Sequence, residues 1–353
     1  MAFQPDYRHM LDVLANRRPE RLPVYEHIIS PAIMETYLDQ PFAGLRDGDA
    51  TDLHAFFTTY CRFFKELTYD TVSFEVCITE ILPDHGAIID GGPGPIQTRE
   101  DFESYPWDEL PERFWRVAER EFNALAECLP PGMKALGGVG NGVFEISMDL
   151  VGFEYLAYMM GDNPPLVSDL YQKIGDLMVD LWSTFLQRHR DTFAICRFGD
   201  DLGFKTSTLL SPETIRRQIL PQYRRVISII HASGRPFLWH SCGNIFAIME
   251  DMIELGIDAK HSNEDNIAPF DDWITRYGDR IGLLGGIDLD LLCRESPDAI
   301  FNYVLESGTR FREQSNGFAL GSGNSIPDYV PLEGYLAMVR AAQEIRSAET
   351  RTA

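Results

Sequence analysis

The chain has 353 residues, of which 44% are hydrophobic and 24% charged, as in ordinary soluble globular proteins. Its 54 acidic residues outnumber the 31 lysines and arginines, and the resulting formal charge of -23 repels nucleic acid and anionic lipid. No apolar run reaches the ~18 residues that span a bilayer, and the N-terminus lacks the basic and apolar blocks of a signal peptide. The six cysteines have no framework spacing, which predicts reduced thiols in a cytoplasmic protein.

Short apolar strands alternate with amphipathic helical stretches along the chain. The first two predicted strands are 22–28 and 70–76, and an apolar helical period lies between them over 53–67. A third strand is predicted at 134–139, after a helix over 111–129. Five more strands are predicted further along the chain, at 193–198, 237–239, 258–264, 281–288 and 317–322.

Eight strands, each followed by a helix, are the pattern of an α/β fold of the (β/α)₈ TIM barrel type. The barrel is predicted to form a single domain over residues 1–353. An open doubly wound sheet is the alternative, but it more often has fewer strands and a glycine-rich dinucleotide loop after the first. No Gly-x-Gly-x-x-Gly motif follows the first predicted strand, which favours the barrel.

His240 and Cys242 lie two residues apart at the end of the strand predicted at 237–239. Side chains two apart in a strand point to the same side, so the imidazole and the thiol are expected to converge. Nitrogen and sulfur are the ligands that Zn²⁺ prefers. The ordinary interpretation of such a pair is a buried cysteine beside a hydrogen-bonded histidine, and the pair alone leaves both interpretations open.

Polar residues recur at the carboxyl ends of the predicted strands, which form one crater in a barrel, the usual place for chemistry. Neighbouring carboxylates at one place need a cation or must share protons. For Asp201, Asp288 and Asp328 a helix cap or a solvated loop position is the better interpretation. The predicted crater residues are Glu26, His27, Glu75, Asn141, Asp200, Asp201, His240, Cys242, Glu264, Asp288, Ser322, Asn324 and Ser325.

Motifs over most of the chain resemble the uroporphyrinogen decarboxylase (URO-D) superfamily, which implies a (β/α)₈ barrel like that of URO-D and methionine synthase. They lie at 19–24, 98–107, 199–202, 211–213, 240–244 and 326–333. Within the superfamily the chain most resembles the zinc-dependent methyltransferases that move methyl groups between corrinoid proteins and thiols. True uroporphyrinogen decarboxylases have an Arg-Gln-Ala-Gly-Arg segment after the first strand, where residues 25–30 contain no arginine.

The resemblance implies a bound Zn²⁺ and no covalently bound cofactor. The methyltransferases bind zinc through His-x-Cys and a cysteine on the last strand, and the related cobalamin-independent methionine synthases add a glutamate. Glu264 lies at the matching strand end, while Ser322 or Ser325 lies where the last cysteine is expected. Because a hydroxyl is a poor zinc ligand, the site is expected to have an open position. The predicted metal residues are His240, Cys242, Glu264 and Ser325.

The resemblance also implies roles for the remaining crater residues. Glu75 and Asp200 are expected to position or deprotonate the substrate, with Glu26 or His27 at the mouth. The predicted catalytic residues are Glu75, Asp200, Glu26 and His27. The predicted substrate-binding residues are Asn141, Asp288, Ser322 and Asn324.

Three functions follow from these predictions. The first is a zinc-dependent methyltransferase-like enzyme that activates the thiol or hydroxyl of a small molecule for methyl transfer. The second is a decarboxylase of a porphyrinogen or a smaller acid, in which Glu75 stabilises a developing cation. The third is a non-catalytic barrel with a structural cation. The first is preferred, because a tetrapyrrole with eight carboxylates suits an acidic protein without those arginines poorly.

Two partners are considered beside the small molecule. A corrinoid partner is expected to be a separate protein, because the chain contains no Asp-x-His-x-x-Gly motif. The sequence leaves a homodimer, the methyl donor and the acceptor open.

Overall fold

Seven parallel strands form one sheet, and each strand pairs with the next strand of the chain. This arrangement comes from a computed structural model that describes residues 3–352, so the two first residues and the last residue of the predicted 1–353 domain lie outside it. The strands are β1 (Thr71–Cys77), β2 (Lys134–Gly140), β3 (Phe193–Gly199), β4 (Phe237–His240), β5 (Ala259–His261), β6 (Gly282–Ile287) and β7 (Phe318–Ser322).

The first of the eight predicted strands, 22–28, is not a strand. Its described pairing is a single parallel bridge from Val24 to Leu320 of β7. Two hydrogen bonds support the bridge, one from Tyr25 N to Leu320 O (2.9 Å) and one from Leu320 N to Pro23 O (3.0 Å). Pro23 has no N–H group, which removes one possible donor from a ladder.

Side chains, rather than a neighbouring strand, bind the next carbonyl groups of this segment. The hydroxyl of Ser73 on β1 donates to the Glu26 carbonyl (2.7 Å), and the guanidinium of Arg197 on β3 donates to the His27 carbonyl (3.0 Å). These carbonyls therefore accept from side chains and are not part of a continuous ladder. The other seven predicted strands are confirmed, and the fold is TIM-barrel-like, whereas an eight-stranded closed barrel is not confirmed.

Helices connect the strands and pack against them. They are α1 (Arg8–Leu14), α2 (Pro31–Leu38), α3 (Ala50–Glu66), α4 (Ala87–Asp90), α5 (Arg99–Ser104), α6 (Leu110–Cys128), α7 (Val143–Val151), α8 (Phe153–Asp162), α9 (Pro164–Arg188), α10 (Pro212–Thr214), α11 (Leu220–Ala232), α12 (Met249–Leu255), α13 (Phe270–Tyr277), α14 (Leu289–Arg294), α15 (Pro297–Gln314) and α16 (Leu332–Thr352). Between residues 3 and 352, none of them is both long and apolar enough to cross a lipid bilayer.

A small apolar cluster separates α1 from the carboxyl ends of the strands. Each of β2 to β7 contributes one side chain to it, and α1 contributes Met10, Val13 and Leu14. Two residues further along a strand, the side chain points to the same face. Arg197, His240 and His261 follow members of this cluster at that spacing. The cluster therefore forms an apolar floor, and the polar side chains of the site lie above it.

Candidate functional site

Two groups of side chains in the described part of the chain hold metal-ligating atoms within 4.8 Å of one another. His27, His240 and His261 form one group, and Asp201, His240 and Cys242 form the other. The expected convergence of the His-x-Cys pair is present, because the Cys242 Sγ lies 3.5 Å from the His240 Nε2. Both groups lie at the carboxyl ends of the strands, and His240 belongs to both.

The stacking of two rings decides between these groups. His27 and His240 lie face to face, with ring centroids 3.7 Å apart and planes inclined by 10°. An imidazole binds a metal through a nitrogen lone pair that lies in the plane of its ring. Two parallel rings cannot both direct such a lone pair at one ion, so the group of three histidines fits a metal poorly. The group of Asp201, His240 and Cys242 is the better metal site.

Hydrogen bonds define the tautomers of His261 and His240. The His261 Nε2 lies 2.9 Å from the Ser322 carbonyl oxygen, which can only accept, so this nitrogen carries the proton. Burial lowers the pKa of His261 to about 3, so the ring is neutral and its Nδ1 is an acceptor. The His240 Nδ1 lies 2.8 Å from that Nδ1 and must donate to it. The lone pair of neutral His240 is therefore on Nε2, the nitrogen that faces Cys242.

Asp201 and Cys242 complete this group. The Asp201 Oδ1 accepts a hydrogen bond from the Cys242 backbone N (2.8 Å) and lies 3.8 Å from the His240 Nε2. The Cys242 Sγ lies 3.4 Å from the Ser262 Oγ and 3.5 Å from the Asn324 Nδ2. Burial raises the pKa of the Cys242 thiol. The Asp201 carboxylate, interpreted from sequence as a cap or a solvated residue, thus lies against two candidate ligands.

The structure does not bring Glu264 into either metal-ligating group. β5 ends at His261, and the Glu264 carbonyl accepts from the Ile267 and Ala268 amides in a turn beyond the strand. Ser325 donates through its backbone N to the Asn324 Oδ1 (2.8 Å), and it is Asn324 whose side chain contacts the Cys242 sulfur. Glu264 and Ser325 lie beyond the ends of β5 and β7, so the paths of the following loops, rather than strand alternation, determine where their side chains lie.

Glu26 and Ser322 form a buried pair. The Glu26 Oε1 accepts from the Ser322 N (2.9 Å), and its Oε2 lies 2.5 Å from the Ser322 Oγ. Burial raises the pKa of Glu26 to about 8. The Ser322 Oγ also lies 2.9 Å from the Asn324 carbonyl, so a protonated Glu26 can donate to Ser322 while Ser322 donates to Asn324. Glu26, predicted to be catalytic, therefore binds the end of β7.

Asp200 and Asn141 hold α7 against the strand ends. The Asp200 carboxylate accepts from the backbone N of Phe144 (2.9 Å) and of Glu145 (2.8 Å), and from the Tyr223 hydroxyl (2.5 Å). Burial raises the pKa of Asp200 to about 7. The Asn141 Oδ1 accepts from the Thr79 hydroxyl (2.9 Å), and its Nδ2 donates to Glu145 (2.9 Å). Other groups of the protein thus bind the polar atoms of Asp200, predicted to be catalytic, and of Asn141, predicted to bind the substrate.

Asp288 caps α14, as the cap interpretation predicted. Its Oδ1 accepts from the Asp290 backbone N (2.7 Å), and its Oδ2 accepts from the Asp265 backbone N (2.7 Å). Both oxygens therefore bind the backbone, and Asp288 belongs to neither metal-ligating group. Asp328 is exposed beyond β7.

A buried ion pair forms the other part of the crater. Arg197 is fully buried, and its Nη2 lies 2.7 Å from the Glu75 Oε2. Its Nη1 donates to the Tyr25 hydroxyl (3.0 Å) and the Ser73 hydroxyl (2.8 Å). Glu75 is therefore placed as expected for a crater residue, with one carboxylate oxygen already bound by an arginine.

A cleft of about 480 Å³ lies beside this ion pair. A second arginine in it, Arg46, binds Glu121 through two hydrogen bonds of 2.7 and 2.9 Å. His27 lines the cleft and stacks on His240, so the cleft borders the metal-ligating group. Besides His27, its lining includes Ile28, Ile29, Phe56, Tyr60, Phe74, Glu75, Cys77, Glu80 and Arg197.

Sequence reasoning missed three residues of the site. Arg197 and His261 are polar residues inside predicted apolar strands. A polar residue at such a position is unusual, and this was the sequence feature that could have identified them as site residues. Glu145 lies in the apolar helix α7 and accepts from the Asp201 backbone N (3.1 Å). Burial, together with the negative charges of Asp200 and Asp201, raises the pKa of Glu145 well above its usual range.

Comparison with known proteins agrees with this architecture. The family model described as uroporphyrinogen decarboxylase (URO-D) matches residues 62–345. The sequence is 29% identical over 145 residues to a methylated-thiol–coenzyme M methyltransferase of Methanosarcina mazei, a match that covers 39% of this chain and 35% of that protein. The solved structure of a methyltransferase from Methanosarcina mazei aligns at a TM-score of 0.73 and 17% identity, over 97% of this chain and 99% of that one. The structural alignment establishes a shared fold.

Proposed function

Because the chain belongs to the URO-D family, in its methyltransferase-like branch, we propose that it is a zinc-dependent methyltransferase acting on a small-molecule thiol. The family resemblance drawn from the sequence motifs is thereby confirmed. The relative from Methanosarcina mazei is named for methylated thiols and coenzyme M, which supports a thiol rather than a hydroxyl as the activated group. We retain a separate corrinoid protein as the proposed methyl carrier and residues 1–353 as one proposed domain.

The convergence of Asp201, His240 and Cys242 carries this proposal. Their ligand atoms lie within 4.8 Å of one another and supply one oxygen, one nitrogen and one sulfur. Catalytic zinc sites combine three protein ligands of these types with one open position for water or substrate. The residues present therefore fit zinc, with Asp201 in place of Glu264, the ligand expected from the family resemblance.

Bound zinc would supply Lewis acidity that lowers the pKa of a substrate thiol and holds its anion as a nucleophile. The protein's own groups would orient that substrate. His27, between the cleft and His240, would contact the substrate on its way to the metal. Phe56, Tyr60 and Phe74 line the cleft and would exclude water from the group being transferred.

The decarboxylase alternative has less support. A substrate with several carboxylates needs cationic groups that are free to bind it. Arg46 and Arg197, the two arginines that line the cleft, are already paired with Glu121 and Glu75. We therefore expect negligible turnover of uroporphyrinogen, far below the 1–10³ per second that is typical of enzymes.

Zinc analysis of protein purified without chelator tests the proposal. We expect close to one zinc per chain in the parent and a large loss in the His240→Ala and Cys242→Ser variants. Cys293→Ser is the matched control, because Cys293 is a half-buried cysteine on α14, outside both metal-ligating groups. Equal zinc contents in the parent and in both site variants would contradict the proposal.

A further inference from the structure

We propose that His261 is a positioning residue that fixes the tautomer of His240, and that Glu26 acts on His261 through Ser322. The use of the His240 lone pair as a zinc ligand rests on the proposed function. The chain of hydrogen bonds itself does not, because it links Glu26, Ser322, His261 and His240 directly to one another. The chain runs from the segment beside β7, through the ends of β7 and β5, to the end of β4.

The first step concerns what a neutral histidine offers. It has one N–H group and one lone pair, and either nitrogen can carry the proton. With the proton on Nε2, His240 would direct an N–H group at Cys242 and Asp201, and no lone pair would face the metal position. With the proton on Nδ1, the same ring is ready to bind the ion. The partner of Nδ1 therefore decides whether the site is prepared.

The second step is that His261 has one available orientation of donor and acceptor. Its Nε2 lies 2.9 Å from the Ser322 carbonyl, and its Nδ1 lies 2.8 Å from the His240 Nδ1. A proton on the His261 Nδ1 would instead leave the Ser322 carbonyl without a donor, because a neutral ring has only one N–H group. The ring is fully buried, so water cannot replace either partner. Both N–H groups therefore donate in the direction of the Ser322 carbonyl: His240 Nδ1 donates to His261, His261 Nε2 donates to the carbonyl, and the His240 lone pair is left on Nε2.

The third step anchors the carbonyl. Ser322 is the last residue of β7, where the strand pairing ends and the backbone needs another restraint. Glu26 supplies it by binding both the backbone N and the hydroxyl of Ser322, at 2.9 and 2.5 Å. Gly285 leaves room for the Ser322 carbonyl. A Cβ at residue 285 would lie 3.0 Å from the carbonyl oxygen, which is closer than side chains usually pack. Glu26 thus acts on the carbonyl that sets the tautomer, rather than on a substrate.

The test compares side chains that retain or remove the acceptor facing His240. In His261→Asn the amide oxygen takes about the place of the imidazole Nδ1, so the acceptor is retained. In His261→Leu the residue is of similar bulk and the acceptor is lost. We expect zinc affinity within about threefold of the parent for the asparagine variant, and about 10–100-fold weaker affinity for the leucine variant. Thermal unfolding of each variant identifies any loss of fold.

A spectroscopic measurement on the full-length, metal-free parent supplies a readout that a merely structural role would not change. Histidine side-chain ¹⁵N shifts distinguish a protonated nitrogen from a lone-pair nitrogen. We expect His240 to be protonated at Nδ1 and His261 at Nε2. A parent in which His240 is protonated at Nε2 overturns the inference, whether or not the variants fold. Equal zinc affinity in folded asparagine and leucine variants overturns it as well.

Failure of the proposed function would look different. If the parent has the expected tautomers but binds no zinc, the positioning role stands and the zinc methyltransferase proposal fails. If the parent binds zinc through His240 and Cys242 but has the opposite tautomer, the proposed function stands and the positioning role fails.

Discussion

The crater has two sides that treat buried polar groups differently, with the stacked rings of His27 and His240 between them. On the ion-pair side, defined by Arg46, Glu75, Glu121 and Arg197, carboxylates and guanidiniums form pairs. On the metal side, defined by Asp201, His240 and Cys242, a carboxylate, a lone pair and a thiol face one another. The buried amine of Lys260 lies near the metal side but forms no ion pair with Asp201. Its Nζ donates to the Ser262 carbonyl and lies over the Trp273 ring.

The difference indicates which side pairs its buried polar groups without a further ligand. A buried ion pair with additional hydrogen bonds satisfies its own charges, so its partners depend on each other for stability. A group of ligand atoms gains further, stronger interactions when a cation binds. The ion-pair side is therefore expected to respond to mutation through folding, and the metal side through metal binding.

The largest expected effect is on the ion-pair side. Arg197→Met leaves Glu75 and two buried hydroxyls without their donor, and we expect the free energy of unfolding to fall by about 3–5 kcal/mol. Urea unfolding measures it. The double variant Arg197→Met with Glu75→Gln should lose less, because no unpaired charge remains. The exposed ion pair of Arg116 offers a control, since Arg116→Met should change stability by less than about 0.5 kcal/mol.

On the metal side, zinc should stabilise the parent and not Cys242→Ser. At a free zinc concentration about 100 times the dissociation constant, the parent should gain about 2.7 kcal/mol. The gain is measured by repeating the unfolding experiment with and without buffered zinc. An equal gain in the parent and in Cys242→Ser would place the ion elsewhere and remove the contrast between the two sides.

Within the metal side, Asp201 and Glu264 can be compared directly. Asp201→Asn replaces an anionic ligand with a neutral amide, so the zinc dissociation constant should rise about tenfold, or about 1.4 kcal/mol. Glu264→Gln should leave it within about twofold, because Glu264 lies outside the ligand group. Competition with a chromogenic chelator measures both. The reverse ranking would restore the ligand set predicted from the sequence.

The smallest expected effect concerns Glu26, the buried carboxyl that binds Ser322. Its pKa is raised to about 8 by burial, so the folded state keeps the proton at pH values where the unfolded chain has lost it. The contribution of Glu26 to the free energy of unfolding is therefore fully present at low pH. It falls as the pH rises from about 4.5 to about 8. Glu26→Gln removes the titration and retains the donor and acceptor pattern.

Relative to the parent, the Glu26→Gln variant should gain about 1 kcal/mol between about pH 7 and pH 8. Thermal unfolding at the two pH values, compared between variant and parent, measures this gain. A difference that does not change with pH would mean that Glu26 titrates normally in the folded protein. The buried environment described for it would then be incorrect.

Much of the fold could be predicted because its determinants are local. Apolar runs bounded by glycine and proline predicted seven of the strands, and strand alternation predicted that His240 and Cys242 converge. The segment 22–28 has the same apolar character but is not a strand. Its carbonyls bind side chains from β1 and β3, which are far away in the sequence. Tertiary contacts thus override a local preference there.

The rest of the site depends on partners that local patterns do not encode. Glu75 could be placed at a strand end, but its pairing with Arg197 joins residues 122 positions apart. The choice between Asp201 and Glu264 depends on how two loops leave their strands. His261 was overlooked because it lies inside a predicted apolar strand, and its role depends on contacts with both β4 and β7.

The single bridge at Val24 has a consequence for local unfolding. β1 and β2 pair along seven residues, whereas the segment that carries Glu26 and His27 is attached by one bridge from Val24 to Leu320 of β7 and one from Ile29 to Ile326, beyond β7. Amide hydrogen exchange should therefore reveal a lower opening free energy at Tyr25 than at Val139 within β2. The wall of the crater formed by β1 and β2 is held by a backbone ladder, whereas the wall formed by the segment of Glu26 and His27 is held mainly by side chains. We therefore expect the segment that carries Glu26 and His27 to open as a unit while the rest of the sheet stays closed.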